Sequence, residues 1–158
     1  FASPRWTARQ RAYSGAFELN SMYTPQIVVN GRHQLVGSRG AQARAAVAEG
    51  LKVPATVRLD LTVERRGEIW IARARVDGAP EGATLNAALV EGGHSVAVKR
   101  GENAGLTLRH DRVVRAFATG PAKASALELK GAGVKPTASV VAWVQDAGLA
   151  VLAATEAR

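Results

Sequence analysis

The sequence predicts an α+β protein, in which a helix–strand–strand–helix (αββα) unit over residues 1–52 precedes an antiparallel β-sandwich over residues 53–158. Two observations predict this division. In the first part, apolar residues recur at helical spacing on both sides of two short apolar runs. In the second part, apolar residues recur at every second position, and turns rich in Gly, Pro and Asp separate these segments. With 158 residues, 47% of them hydrophobic, the chain can bury a core in one domain or two small ones.

The αββα unit begins with a helix expected from about Pro4 to Phe17, because Ser3 stands in an N-cap position and Pro4 in the first turn. Four side chains at spacings of three and four form an aromatic stripe for packing: Trp6, Gln10, Tyr13 and Phe17. The arginines at positions 5, 9 and 11 are expected largely on other faces. A hairpin with an Asn30-Gly31 turn follows, and a second helix is expected over residues 39–51.

The β-rich part shows period-two alternation, in which Val57, Leu59, Leu61 and Val63 share one face of the first strand. Seven or eight strands are expected, which fits a two-layer sandwich. The predicted strands are Thr56–Glu64, Glu68–Val76, Thr84–Glu91, Ser95–Arg100, His110–Thr119, Ala124–Lys130, Ala138–Gln145 and Leu149–Thr155.

The segment Tyr23–Gly31 is the most informative part of the chain. Proline has no backbone N–H, but at the first residue of a strand that N–H need not form a hydrogen bond to the neighbouring strand. A cis Thr24–Pro25 bond would turn the chain sharply before the apolar run Ile27–Val29. From the residues alone, an ordinary trans proline before an edge strand remains the alternative.

Composition removes several function classes. The chain has no cysteine, so its own residues support neither disulfides, thiol catalysis nor thiolate metal sites. Its net charge is +8, and residues 1–52 carry seven basic and two acidic residues, a net charge of +5. These charges are scattered without interleaved aromatic residues, so no nucleic-acid partner is expected. No apolar run is long enough to span a membrane, and no serine lies in a Gly-x-Ser-x-Gly elbow.

Several segments together resemble a secreted bacterial family known as domain of unknown function 1223. They are Phe1–Pro4, Arg9–Tyr13, Tyr23–Gly31, Val36–Ser38, Arg100–Gly105 and His110–Arg115. The resemblance implies a thioredoxin-like half followed by a β-rich half, in a periplasmic or secreted protein. It also implies that a Cys-x-x-Cys region would precede Phe1, so that residues 1–52 form a partial thioredoxin-like unit in a carboxyl-terminal portion of a longer protein.

This partial unit has a physical consequence, because a bare two-stranded hairpin is marginal in water. The hairpin edge is expected to be completed by another copy of the chain in a homodimer, by the missing amino-terminal segment, or by the β-rich half. The resemblance also implies that Tyr23, Thr24 and Pro25, the residues around the cis-proline, bind an extended peptide. The alternative is that these three residues have a purely structural role.

A second group of residues, Glu102, Asn103, His110 and Asp111, is expected to form a hydrogen-bonded loop clamp. His110 and Asp111 are neighbours on a strand and point to opposite faces, so a metal site is not expected, and no cofactor is predicted.

Three hypotheses for the function remain open from the sequence. The first is a non-catalytic part of a secreted thioredoxin-like protein that binds a protein or peptide partner. The second is a thiol–disulfide oxidoreductase whose cysteine motif lies in the missing amino-terminal region. In the third, the β-rich half only solubilises or dimerises its neighbour.

Overall fold

A computed structural model describes residues 4–101 and 104–158. It contains two helices and eleven strands within these residues, and it is α+β. In chain order the elements are α1 (Pro4–Ala16), β1 (Gln26–Val29), β2 (His33–Val36), α2 (Gly40–Lys52), β3 (Arg58–Arg66), β4 (Ile69–Asp77), β5 (Thr84–Glu91), β6 (His94–Ala97), β7 (Thr107–His110), β8 (Val113–Pro121), β9 (Ala126–Lys130), β10 (Ser139–Gln145) and β11 (Val151–Ala157).

The β-rich part is built on two antiparallel sheets that share one hydrophobic core. One sheet has the strand order β11-β10-β5-β8, and the other has the order β3-β4-β9. Alternate residues of both sheets enter the core, among them Trp70 and Leu129 from the smaller sheet and Leu85, Leu89 and Val140 from the larger. These side chains are nearly or fully buried, so this shared core is the main source of hydrophobic stabilisation.

The face predicted for the first strand is correct, because Val57 is buried and Leu59, Leu61 and Val63 pack against the core. The strand predicted from His110 to Thr119 is wrong in one respect. The structure splits it into β7 and β8, which belong to different sheets, and Arg112 between them has a positive φ of 55°. The break turns the chain from the β6–β7 hairpin into the four-stranded sheet, and alternation alone gives no sign of it.

Helix α1 packs on the outer face of the four-stranded sheet. Trp6 meets Phe117 edge-on with ring centroids 5.7 Å apart, so part of the aromatic stripe lies in this contact. The expected placement of the arginines needs correction, because the Arg9 guanidinium lies 5.2 Å from the ring centre of Phe117 and 5.5 Å from that of Trp143. Stacking on aromatic faces, rather than solvation, therefore positions this arginine.

The β1–β2 hairpin lies between the two helices. Thr24 and Gln26 line a groove with α1, whereas Ile27 and Val29 line grooves with α2. Since alternate residues of a strand point to opposite faces, α1 and α2 flank opposite faces of the hairpin. The Thr24–Pro25 peptide is cis, and the Pro25 carbonyl accepts a hydrogen bond from Gly37 N at 2.8 Å.

The hairpin turn is attached to the β-rich part. Asn30 and Gly31 both have positive φ, 51° and 66°, as the Asn-Gly turn requires. The Asn30 carbonyl accepts a hydrogen bond from Val151 N at 2.8 Å, and Gly31 lies directly against the Leu149 carbonyl. These contacts fix the hairpin relative to the turn between β10 and β11.

Candidate functional site

The candidate site is a groove between α1 and the start of β1. Its volume is about 290 Å³. Six residues line it: Trp6, Arg9, Gln10, Tyr13, Thr24 and Gln26. The groove combines aromatic surface with hydrogen-bonding groups, which is the composition of sites that hold extended polypeptide segments. We call it the α1 groove.

Two of the three predicted peptide-docking residues are exposed at this place. Thr24 and Pro25 are exposed, and Thr24 lines the α1 groove. Tyr23 is half-buried and has a positioning role: its hydroxyl donates to Gln34 Oε1, and its carbonyl accepts a hydrogen bond from Gln10 Nε2 at 2.9 Å. The docking role of the three residues stays a prediction.

Two polar groups in the α1 groove were not predicted from the sequence. Arg9 Nη2 donates to Gln145 Oε1 at 2.9 Å and to Tyr13 OH at 3.1 Å, which leaves Nη1 and Nε of this guanidinium without a hydrogen bond among the described residues. Gln26 Nε2 is buried and has no hydrogen-bond partner within the described part of the chain. A buried donor without a partner carries a desolvation cost, so an acceptor offered by a ligand would be favoured.

The opposite face of the hairpin is apolar. Two adjoining grooves of about 350 and 280 Å³ lie between β1 and α2, and Ile27, Val47 and Leu51 line both. Val47 is 46% exposed and Leu51 is 82% exposed. We call this surface the α2 face. Exposed apolar side chains gathered beside one strand are typical of a surface that another element covers.

The residues predicted as a loop clamp are only partly described. Glu102 and Asn103 lie outside the described residues. Asp111 Oδ1 accepts a hydrogen bond from Gly93 N at 3.2 Å, which connects the loop after β5 to the loop after β7. His110 lies opposite His94 in the β6–β7 register. The structure therefore brings Asp111 into a loop contact, and it places His110 in the neighbouring ladder.

A buried carboxylate close to these loops was also not predicted. Glu91 has a side chain only 1% exposed, and it contacts Arg115 Nη1 at 2.5 Å, His94 Nε2 at 3.2 Å and Lys135 N at 3.2 Å. Burial raises the pKa of Glu91, but the Lys135 N–H and the charges of Arg115 and His94 outweigh it and hold the pKa below the ordinary value of 4.5. The one indication of this cluster in the sequence is that Glu91 ends the otherwise largely apolar strand β5. Because the partners of Glu91 belong to different strands and loops, its carboxylate connects these elements to one another.

Neither described helix has the length and apolarity needed to cross a bilayer. Among residues 4–101 and 104–158, no three His, Asp or Glu side chains are grouped so that they could hold a metal ion.

The fold has a counterpart among solved structures. The crystal structure of protein AGR_C_4864 from Agrobacterium tumefaciens is similar, with a TM-score of 0.65 and 18% sequence identity, over 98% of this chain and 70% of that one. At this identity the likeness concerns the fold. No curated protein matches the chain.

The family whose description reads "Protein of unknown function (DUF1223)" matches residues 1–145. This match covers the αββα unit and most of the β-rich part, including the α1 groove and the α2 face. The chain therefore belongs to the DUF1223 family.

Proposed function

We propose that this chain is a non-catalytic, partner-binding portion of a secreted or periplasmic thioredoxin-like protein, and that it binds an extended segment of another polypeptide in the α1 groove. In this proposal residues 1–52 are a partial thioredoxin-like unit, and residues 53–158 form a β-sandwich that supports it. Because the chain has no cysteine, its own residues cannot carry out thiol–disulfide exchange.

One observation carries the proposal: the exposed Thr24, which precedes Pro25, lines a groove that contains aromatic surface and a buried donor, Gln26 Nε2, that has no acceptor among the described residues. An extended peptide offers a backbone carbonyl at every residue, and such carbonyls can accept from Gln26 Nε2 and from the Arg9 guanidinium. Trp6 and Tyr13 supply flat surfaces for its side chains.

The test is a selection of binders from a phage-displayed library of random linear nonapeptides, followed by mapping of the selected peptides by 1H–15N NMR on the full chain. We expect the largest shifts at the backbone amides of Thr24 and Gln26 and at the Trp6 indole N–H. Thr24→Phe should fill the groove and weaken binding by about tenfold or more. The matched control is Thr107→Phe, because Thr107 is also exposed but lies in β7 and does not line the α1 groove.

Failure to select any binder, or shifts confined to residues away from α1 and β1, would reject the proposal. The alternative activity, thiol–disulfide exchange in which Thr24 and Pro25 complete a site with cysteines from another segment, has a separate readout. Reduction of insulin by the natural gene product, together with no peptide affinity in this chain, would favour that alternative.

A further inference from the structure

The β6–β7 hairpin has one apolar face. Val96 pairs directly with Leu108, so their side chains point to the same side of the hairpin. Val98 N donates to the Leu106 carbonyl at 2.9 Å, which continues the ladder, and residues two apart on a strand share a face. Four aliphatic side chains therefore form one surface, which we call the hairpin face: Val96, Val98, Leu106 and Leu108.

Three of these side chains are exposed to solvent. Val96, Leu106 and Leu108 are 44%, 54% and 36% exposed. Within the described residues β6 and β7 pair only with each other. Residues 95–97 and 104–109 are all exposed, on both faces of the hairpin. The hairpin therefore stands away from the two larger sheets instead of packing on them.

The hairpin leaves the four-stranded sheet at the end that is opposite to the β1–β2 hairpin. It continues from Glu91, the last residue of β5. At the first residue of β5, Thr84 pairs with Gln145, and Gln145 pairs with Val151. The β1–β2 turn is attached there, because Val151 N donates to the Asn30 carbonyl. An earlier segment of the protein that completes the edge of β1 would therefore lie at the far end of the sheet from the hairpin face.

Basic residues border the hairpin face. Residues 94–110 contain three basic residues, Lys99, Arg100 and Arg109, and one acidic residue, Glu102, which gives a net charge of +2. The three basic side chains are exposed. Two copies of the chain that met through this hairpin would bring like charges together, whereas an anionic partner would be attracted.

Among anionic partners, the composition and shape of the hairpin face favour a lipid surface over a protein. The strongest contacts in protein interfaces come mainly from Trp, Tyr and Arg seated in pockets, and Leu and Val are under-represented among them. The hairpin face has only aliphatic side chains, and none of the three grooves described above is lined by a residue of β6 or β7.

An anionic bilayer meets both properties of this surface. Binding to a bilayer strengthens with the apolar area that enters the interface and with the attraction of Lys and Arg to the lipid headgroups. Long basic side chains beside an apolar face can reach the phosphate groups while the aliphatic side chains leave water. A projecting element can touch such a surface without the rest of the protein being moved.

We infer that the β6–β7 hairpin is a membrane-docking element that places the hairpin face in the interfacial region of an anionic bilayer, with Lys99, Arg100 and Arg109 against the lipid phosphates. The inference is independent of the proposed function, because Tyr13 of the α1 groove contacts Gln145 at the other end of the four-stranded sheet.

The first experiment measures co-sedimentation of the full chain with two kinds of vesicles. One kind contains phosphatidylcholine alone, and the other contains equal parts of phosphatidylcholine and phosphatidylglycerol. We expect the chain to bind the anionic vesicles about tenfold more tightly or better, and added salt to weaken this binding. Equal binding to both kinds of vesicles, or binding to neither, would overturn the inference.

The apolar contribution is tested with Val96→Ser/Leu108→Ser, which removes aliphatic surface from the hairpin face. The matched control is Val47→Ser/Leu51→Ser, because these side chains of the α2 face are also exposed, by 46% and 82%. Only the first variant should weaken binding to the anionic vesicles, by about tenfold or more. Equal effects of the two variants would exclude a specific role of the hairpin face.

The charged contribution is tested with Lys99→Gln/Arg109→Gln. The matched control, Arg11→Gln/Arg32→Gln, removes two exposed charges from the αββα unit and leaves the same net charge on the protein. We expect the hairpin variant to lose more affinity for the anionic vesicles than the control. Equal losses would show that the overall charge of the chain attracts it without specificity, and the inference would fail.

The absence of cysteine allows a direct measurement of which surface enters the bilayer. Leu106→Cys provides a single site for an environment-sensitive fluorophore. The control is Thr62→Cys, because Thr62 is exposed on β3 of the smaller sheet. Anionic vesicles should shift the emission to the blue at position 106 and leave it unchanged at position 62. A shift at both positions or at neither would contradict the inference.

Two further results would assign the hairpin face to protein contacts. Dimerisation without vesicles that Val96→Ser/Leu108→Ser abolishes would assign it to a second copy of the chain. Loss of vesicle binding in the natural gene product would show that another part of the protein covers the face. Either result would overturn the inference.

Discussion

Gln145 Nε2 donates a hydrogen bond to the Tyr13 hydroxyl at 2.9 Å, which joins the first helix to the end of strand β10 across 132 positions of sequence. The Gln145 side chain is almost fully buried. Its Oε1 accepts from Arg9 Nη2, Trp143 Nε1 and Asn86 Nδ2 at 2.9, 3.0 and 3.3 Å. A single amide thus satisfies polar groups from both parts of the chain.

Gln145→Ala should therefore destabilise the protein by roughly 2–4 kcal/mol, because several buried donors lose their acceptor together. Urea denaturation followed by circular dichroism measures this change. The control is Gln42→Ala on the exposed surface of α2, which is expected to change the free energy of unfolding by less than about 0.5 kcal/mol. Similar effects of the two substitutions would show that the Gln145 contacts contribute little.

Arg9→Lys should loosen helix α1 from the four-stranded sheet, at a cost of about 1–2 kcal/mol, because an ammonium group replaces neither the planar stacking nor the paired hydrogen bonds. Hydrogen exchange of the amides of residues 8–16 should become faster. Arg11→Lys is the control, since Arg11 is exposed on α1. Unchanged exchange in the Arg9 variant would contradict the packing role of this side chain.

Gly31→Ala should be more damaging than Gly67→Ala, although both glycines have a φ near +60°. An alanine Cβ at position 67 meets open space, so only the left-handed backbone cost of about 1–2 kcal/mol applies. At position 31 the Cβ would overlap the Leu149 carbonyl, and we expect a further loss of roughly 1–3 kcal/mol. Thermal unfolding of the two variants measures the difference, and equal losses would mean that the hairpin turn is not held against Leu149.

Acid should weaken the fold through Glu91. Its pKa is lowered in the folded protein, so the unfolded chain binds the proton more readily and the stabilisation is present above the unfolded value. That stabilisation is lost as the pH falls from about 4.5 through the lower folded pKa. Glu91→Gln should lower the Tm at pH 7 and flatten the dependence of the Tm on pH below 4.5, apart from the part that Glu64 and Glu156 contribute through their own lowered pKa values. A variant whose Tm falls with acid as steeply as that of the natural sequence would refute this assignment.

The sequence predicted the features that depend on local rules. Pro25 before Ile27–Val29 and the Asn30-Gly31 turn identified the hairpin, and period-two alternation identified the inner face of β3 correctly. Two helices and a largely antiparallel β-rich part follow from the same rules.

The features that the sequence did not reveal depend on residues far apart in the chain. Arg9 was expected largely on another face of its helix than the aromatic stripe, yet its guanidinium lies against the rings of Phe117 and Trp143. These two residues lie more than 100 positions away in the sequence, so no local pattern predicts the contact. The break at Arg112 arises because β7 pairs with β6 whereas β8 pairs with β5 in the four-stranded sheet, and the local sequence does not specify these pairings. Within the candidate site, the sequence motif singled out Thr24 and Pro25, whose docking role stays a prediction, and Thr24 lines the α1 groove. The donors of Arg9 and Gln26 are evident only from the packing of α1.

The hydrogen bond from Val151 N to the Asn30 carbonyl has a consequence for how the chain reaches its native form. The contact closes a loop of about 120 residues, and closing long loops slows folding. During synthesis the hairpin turn has no such partner until the ribosome has released residue 151. The hairpin is therefore made before the β-rich part but reaches its final position only after residue 151 has been added.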